Sequence, residues 1–226
     1  MPLVNSPEAE NFMQLMGTDT GRKVLLGDKS KYHGLATNPI GFAQNALADA
    51  IPKFAALADD PTRTPVQQHD SARRLANRVA TVFSDSKASL EQIARELSTE
   101  GEQMVEDRFL LDPNRHAIHS EIRGWIREHA DKPDGIMKIR EVALSNSEVI
   151  TVLHRSPHFL TGLSLDTRNN IVGEGLKRFE PAGWSKIEHG QEIAALAARY
   201  PDAINKVHLY TYNPMMADQA NRRVEV

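Results

Sequence analysis

The chain has 226 residues, of which 40% are hydrophobic and 25% charged, and this composition is typical of a globular protein rather than a disordered one. Its formal net charge of −3 argues against a general nucleic-acid binder, because such proteins gain affinity by neutralising phosphates with a basic surface. The sequence contains no cysteine, which excludes disulfides, thiolate nucleophiles, and cysteine-based zinc or iron–sulfur sites.

Helix-forming residues dominate the composition. Alanine, leucine, glutamate, glutamine and arginine are abundant, whereas runs of β-branched residues are scarce, so the sequence predicts an all-α protein. The N-terminal stretch lacks the basic start and apolar run of a secretory signal, and no stretch reaches the roughly 18 apolar residues that span a bilayer. We therefore expect a soluble protein made in the cytoplasm, with no membrane partner.

The N-terminal segment, residues 1–62, begins with a short predicted helix, for which Ser6 is the N-cap and Pro7 the first helical residue. Residues 17–38 then contain four glycines and turn residues throughout, so we expect an extended arm that contacts another subunit. A helix kinked by Pro52 completes the segment. The apolar residues of the expected arm are Val24, Leu25 and Leu26.

The strongest helical pattern lies in residues 63–111. Unbroken, some 40 residues of helix would extend roughly 60 Å, whereas a compact chain of this length has a diameter of roughly 45 Å. We expect either a break, near Ser84–Ser89 or at Gly101, or a continuous helix that packs on another chain. The apolar residues keep their phase through Ser84–Ser89, which favours continuity. The predicted helix-packing seam consists of Leu75, Val79, Val82, Leu90, Ile93 and Leu97.

Two further segments follow. In residues 112–206, caps and prolines recur between short apolar patterns, which predicts a C-terminal helical domain. Residues 207–226 alternate briefly as a strand would and then turn at Asn213–Pro214, so we expect an extended C-terminal tail. Like the N-terminal arm, this tail is a candidate inter-subunit contact, through Tyr210 and Tyr212.

Two histidine pairs are candidates for metal or catalytic chemistry. His154 and His158 are four residues apart, but the intervening proline disfavours a continuous helix, so we interpret the stretch as a turn between helices. His116 and His119 have a spacing that suits zinc, yet no third ligand and no H-E-x-x-H motif accompanies them, and a structural role is favoured. The residues expected to form the turn and enter the core are Pro157, Phe159, Leu160, Gly162 and Leu163.

The remaining motifs define no catalytic centre. The stretch GTDTGRKV has the wrong spacing for a P-loop and lacks the hydroxyl residue after Lys23, and GEG at 173–175 lies in a helical pattern rather than after a strand. No G-x-S-x-G elbow occurs. Arg73, Arg74 and Arg78 form a small basic cluster that suits either phosphate contact or an ordinary solvated surface. We expect no enzymatic activity, no cofactor and no small-molecule substrate.

Residues 119–171 contain three motifs in a fixed order. The helix S-E-I-R-x-W at Ser120–Trp125 is followed by a short helix ending in Val-Leu at 152–153 and by a small-Pro-x-Phe-Leu-x-Gly-Leu turn at Ser156–Leu163. This order resembles a pattern that recurs in small proteins of tailed bacteriophages and prophages. The resemblance implies a virion-associated or assembly role and transfers no catalytic residue.

These observations lead to the hypothesis of a structural component of a tailed-phage particle, located at the head–tail junction or in the tail. Such a virion protein would bind other copies of itself and other virion proteins. One alternative is a scaffold or chaperone that assists assembly and is not retained in the virion. Another is a small enzyme or nucleic-acid module that uses His116, His119 or the arginines at 73–78, with binding that weakens steeply in salt.

Overall fold

A computed structural model describes residues 2–220, and within this range the chain is helical and contains no strand, which confirms the predicted all-α class. The same range contains four short 3-10 turns, at Lys29–Lys31, Gly34–Ala36, Pro113–Arg115 and His158–Leu160. The α-helices of the described residues are α1 (Pro7–Gly17), α2 (Asp19–Leu26), α3 (Thr37–Ala58), α4 (Pro65–Arg108), α5 (His116–Ala130), α6 (Gly135–Ser145), α7 (Ser147–Arg155), α8 (Leu165–Phe179), α9 (Pro181–Ala197), α10 (Tyr200–Thr211) and α11 (Pro214–Gln219).

The chain divides into two compact units. The first comprises the residues up to Arg95 together with those from His189 onward, and the second comprises Glu96–Glu188. Helices α4 and α9 each contribute residues to both units. The sequence predicted four consecutive segments instead, because caps and breakers mark where helices end but carry no information on which helices pack together.

Helix α4 is a single helix of 44 residues, as the unbroken phase of its apolar pattern predicted. Of the predicted seam, Val82 and Ile93 are only half-buried, whereas Phe83 and Ala94 beside them are buried. The buried stripe therefore lies slightly to one side of the predicted seam, because its small residues give no hydrophobic signal. Its members are Ala72, Ala76, Val79, Phe83, Ser86, Leu90, Ala94, Leu97, Gly101 and Val105.

Residues 17–38 do not form an extended arm, because α2 occupies part of this range. Thr18 is its N-cap and accepts a hydrogen bond from the N–H of Gly21 at 3.0 Å. A Cβ atom at Gly21 would lie 2.0 Å from the carbonyl oxygen of Leu15, so the sharp corner between α1 and α2 requires glycine here. Gly27 ends α2 with a φ of 99°. The glycines that indicated a loop thus mark the two ends of a short helix.

Side chains from distant parts of the chain bind the end of α2. The guanidinium of Arg199 donates to one carbonyl. The buried hydroxyl of Tyr200 donates to a second at 3.1 Å, and burial raises the pKa of this hydroxyl, which keeps it protonated. The amide of Gln44 donates to a third at 2.6 Å. The acceptors are the carbonyl oxygens of Val24, Leu26 and Gly27, in that order.

The expected C-terminal tail is also helical where the structure describes it. Helix α10 continues through Thr211, whose hydroxyl donates to the carbonyl of Val207 at 2.7 Å, and both residues are buried. Asn213 caps α11. The brief alternation of apolar and polar residues in this stretch also fits a helix whose apolar residues recur every fourth position. Burial against the rest of the fold decides between strand and helix. Residues 221–226 of the expected tail lie outside the described residues.

Two helices of the second unit meet at glycines. A Cβ atom at Gly101 of α4 would lie 2.6 Å from the carbonyl oxygen of Gly183 in α9 and 2.8 Å from Cγ1 of Ile187. A Cβ atom at Gly183 would in turn lie 3.0 Å from the carbonyl oxygen of Gly101. The two backbones are therefore in direct contact, and an ion pair between Glu100 and Lys186 flanks the crossing.

The second glycine of the GEG stretch has a similar role. A Cβ atom at Gly175 of α8 would lie 2.2 Å from Cδ1 of Ile150 in α7, so α8 requires glycine where this buried isoleucine packs. The core around this contact includes Val105, Phe109, Ile126, Ile139, Leu153, Leu163 and Ile171.

Replacing Tyr200 with phenylalanine should lower the free energy of unfolding by about 1–3 kcal/mol, because the buried carbonyl of Leu26 loses its hydrogen-bond donor. Urea denaturation of both proteins measures the difference. The control is Tyr210→Phe, since the structure shows no hydrogen bond from the Tyr210 hydroxyl among residues 2–220, and this change should stay within about 0.5 kcal/mol. Equal losses in the two variants would contradict the α2 anchor.

Replacing Gly101 with alanine should destabilise the protein by about 1–3 kcal/mol, because the contact with the Gly183 backbone outweighs the better helix propensity of alanine. The matched control is Gly124→Ala in α5, where a Cβ atom would meet no atom within 4 Å. That change should stabilise by about 0.5–1 kcal/mol. Thermal denaturation followed by circular dichroism distinguishes the opposite signs, and stabilisation by Gly101→Ala would refute the close crossing.

Candidate functional site

The turn between His154 and His158 begins at the C-terminal end of helix α7. Asn146 caps its start by accepting the N–H of Glu148 at 2.9 Å, and the apolar residues that follow are buried in the second unit. The helix ends at Arg155, and Ser156 adopts an extended conformation, as expected for a residue before proline. The structure therefore confirms the predicted turn between helices in place of one helix bearing both histidines.

Arg155 joins the end of α7 to the end of α4. Its guanidinium donates to the carbonyl oxygens of Glu106 at 2.9 Å and of Phe109 at 3.0 Å, and it also pairs with the Glu106 carboxylate. The last carbonyls of a helix lack partners within the helix, and a cation is favourable there. Arg155 thus supplies hydrogen-bond donors to the carbonyl oxygens at the C-terminal end of α4.

Arg168 of α8 does the same for α7. It donates to the carbonyl oxygen of Leu153 at 2.9 Å and to that of His154. Sequence reasoning missed both arginines, because the acceptors of Arg155 lie 46 and 49 residues away and no local motif marks such a contact. Together the two guanidinium groups fix the position of the turn that follows α7.

His154 and His158 do not converge on one site. Nε2 of His154 lies 3.3 Å from a carboxylate oxygen of Glu106, whereas His158 lies in the 3-10 turn beside Phe159. Burial lowers the pKa of His154, although the Glu106 carboxylate acts in the opposite direction. The imidazole is therefore neutral at neutral pH and belongs to the contact between α4 and α7.

The other histidine pair is also separated. His119 is buried with Nε2 3.3 Å from a Glu148 carboxylate oxygen, whose second oxygen pairs with Arg115 at 2.9 Å, while His116 is exposed. Within residues 2–220, no group of three or more histidine, aspartate and glutamate side chains is arranged to hold a metal ion. In the same range, no helix is long and apolar enough to cross a membrane.

The turn after α7 differs from the prediction in what it buries. Gly162, with a φ of 70°, reverses the chain, and Leu163 enters the core with 4% of its surface exposed. Phe159 and Leu160 were expected in the core as well, but they are 70% and 40% exposed. Pro157 and the 3-10 turn orient them away from α7, so one apolar residue is buried and two face outward.

The residues of the two expected arms come together in the first unit. Val24, Leu25 and Tyr210 line one cavity of about 630 Å³ between α1, α2 and α10. The ring of Tyr210 lies 5.2 Å from that of Phe12, measured between centroids. Leu26 and Tyr212 are buried within their own chain. Contacts that were expected between subunits are thus made largely inside one subunit, with Val24 as the exposed exception.

The free energy of unfolding should fall as the pH falls below about 6.5, because burial lowers the folded-state pKa of three histidines below the ordinary value of 6.5 and the unfolded state therefore binds more protons. His69, His154 and His208 contribute to this slope. The variant His154→Gln should show a shallower decline between pH 6.5 and 5 in urea titrations at several pH values. An unchanged slope would contradict the neutral, desolvated state of His154.

Family models, curated proteins and solved structures give no match to this chain.

Proposed function

We propose that the chain is a structural component of a tailed-bacteriophage particle, at the head–tail junction or in the tail. It acts by binding other copies of itself and other virion proteins rather than by chemistry. The observation that carries the proposal is the exposed pair Phe159–Leu160, which projects from a turn whose base is fixed by Arg155 and Arg168. The pair lies within the stretch that resembles phage and prophage proteins.

The geometry suits a binding surface because Phe159 and Leu160 are exposed on a turn that is already ordered by the hydrogen bonds of Arg155 and Arg168. Binding costs side-chain and backbone entropy, and a turn that is already ordered loses less of it on association. Aromatic residues with an exposed face are also enriched among the residues that dominate protein interfaces. The charged groups nearby are occupied by helix carbonyls and by each other, so they support the position of the turn rather than a reaction.

Mass spectrometry of purified phage particles tests the proposal. We expect the chain to be present at a fixed number of copies relative to the major capsid protein, because a structural subunit occupies symmetry-related positions. Absence from particles combined with abundance in infected cells would contradict it and would favour a scaffold or chaperone. Deletion of residues 17–38, the segment expected to be an inter-subunit arm, would not test the proposal. The deletion removes α2 and the hydrogen bonds that anchor it, so the rest of the chain would be destabilised as well.

Replacing Phe159 and Leu160 together with serine should leave the fold intact, since both side chains are exposed, and should reduce incorporation into particles at least tenfold. Copies per particle after complementation with the variant gene provide the measurement. Met137→Ser is the matched control, because this residue of α6 is 65% exposed in the same unit and lies outside the turn. Normal incorporation of the double variant would show that the turn is not the binding surface.

A further inference from the structure

A long trough separates α3 from the first half of α4 in the first unit. The trough comprises two neighbouring cavities of about 410 Å³ each, whose linings have Lys53, Leu75 and Arg78 in common. The two helices are consecutive and joined by a short connection. Apolar residues form the floor of the trough. Ala50, Leu75 and Val79 are buried in it, and its half-buried members are Ala46, Leu57 and Val82.

Cations dominate the walls of this trough. Lys53 comes from α3, Arg63 from the connection, and Arg74 and Arg78 from α4. The acidic residues that line the same space are Asp49 and Asp60. The lining therefore contains four cations and two carboxylates, and the α4 side carries only cations.

Two of the four cations are already neutralised. Nε of Arg63 lies 3.0 Å from a carboxylate oxygen of Asp60, and its guanidinium donates to the hydroxyl of Ser71. Arg74 pairs with Asp70 at 2.8 Å. By contrast, Lys53 and Arg78 form no ion pair or hydrogen bond through their side chains with any residue between 2 and 220. These two exposed cations face the part of the trough that both cavities share.

The combination of floor and walls identifies the chemistry of an occupant. The two unpaired cations would bind carboxylates or phosphates of a ligand. The alanine, leucine and valine residues of the floor would contact aliphatic side chains that lie between those anionic groups. From Ala46 to Leu57 the trough follows α3 for roughly 16 Å, which is about three helical turns. A nucleic-acid backbone would leave the apolar residues of the trough uncovered.

We propose that this trough binds an acidic amphipathic helix of a partner protein. Carboxylates of the partner pair with Lys53 and Arg78, and its apolar face covers the half-buried residues Ala46, Leu57 and Val82. The inference concerns a surface separate from the Phe159–Leu160 turn. It does not depend on the phage assignment.

Nuclear magnetic resonance titration of the full 15N-labelled chain tests the proposal, because it detects weak binding. The probe is a synthetic helical peptide of about 14 residues with leucine at every third or fourth position and glutamate on both flanks. We expect amide shifts confined to α3 and the first half of α4, with a Kd at or below about 1 mM and weaker binding at high salt. An analogue with glutamine in place of each glutamate should bind at least tenfold more weakly.

The double variant Lys53→Glu plus Arg78→Glu should also lose at least tenfold in affinity, and its circular dichroism should match that of the wild type because both side chains are exposed. A peptide with lysine in place of glutamate should bind this variant better than it binds the wild type. The control is Lys29→Glu plus Lys31→Glu, which makes the same change in net charge on an exposed 3-10 turn outside the trough. Its affinity for the acidic peptide should not change.

Four results would overturn the proposal. They are no shifts in α3 and α4 at millimolar peptide, equal binding of the glutamine analogue, unchanged affinity of the Lys53/Arg78 variant, and stronger binding of a single-stranded oligonucleotide than of the peptide at the same amides. None of these results depends on whether the chain is found in phage particles, so the two proposals fail separately.

Discussion

The fold depends on arginine side chains that bind the carbonyl oxygens at helix ends. Arg22 binds the end of α1, Arg199 the end of α2, Arg155 the end of α4 and Arg168 the end of α7. Hydrogen bonds with a charged donor contribute about 1.5–3 kcal/mol each, whereas exposed ion pairs contribute about 0–1 kcal/mol. In a chain without disulfides, the contacts of Arg155 and Arg199 connect helices that lie far apart in sequence, whereas those of Arg22 and Arg168 connect neighbouring helices.

Local features of the fold could be predicted from the sequence. The all-α class, the capped start of α1 at Ser6 and the continuity of α4 all follow from side-chain chemistry within a few residues. The features that could not be predicted depend on tertiary contacts. Glycines 21 and 27 were interpreted as loop residues, because their requirement arises from the packing of α1 against α2 and from the positive φ of Gly27.

The candidate site shows the same limit. The turn at Pro157 follows from proline chemistry and was predicted, but the outward orientation of Phe159 and Leu160 arises from the 3-10 turn that follows it, which no local pattern indicates. Arginine gives no sequence signal that separates its possible roles. Arg155 is saturated by helix carbonyls and a carboxylate, while Arg78, in an equally helical context, faces a trough without a partner among the described residues. Only the geometry distinguishes an arginine that stabilises from one that is free to bind.

The anchoring of α2 has a consequence for the order in which the chain acquires structure during synthesis. Tyr200 and its acceptor, the carbonyl of Leu26, are 174 residues apart. At about 5–20 residues per second, a ribosome needs roughly 10–35 s to make the intervening chain. The second unit, Glu96–Glu188, is complete before Tyr200 is translated. During synthesis the carbonyl of Leu26 therefore lacks its Tyr200 donor until the second unit has been made, and the unit that begins first in the sequence is completed last.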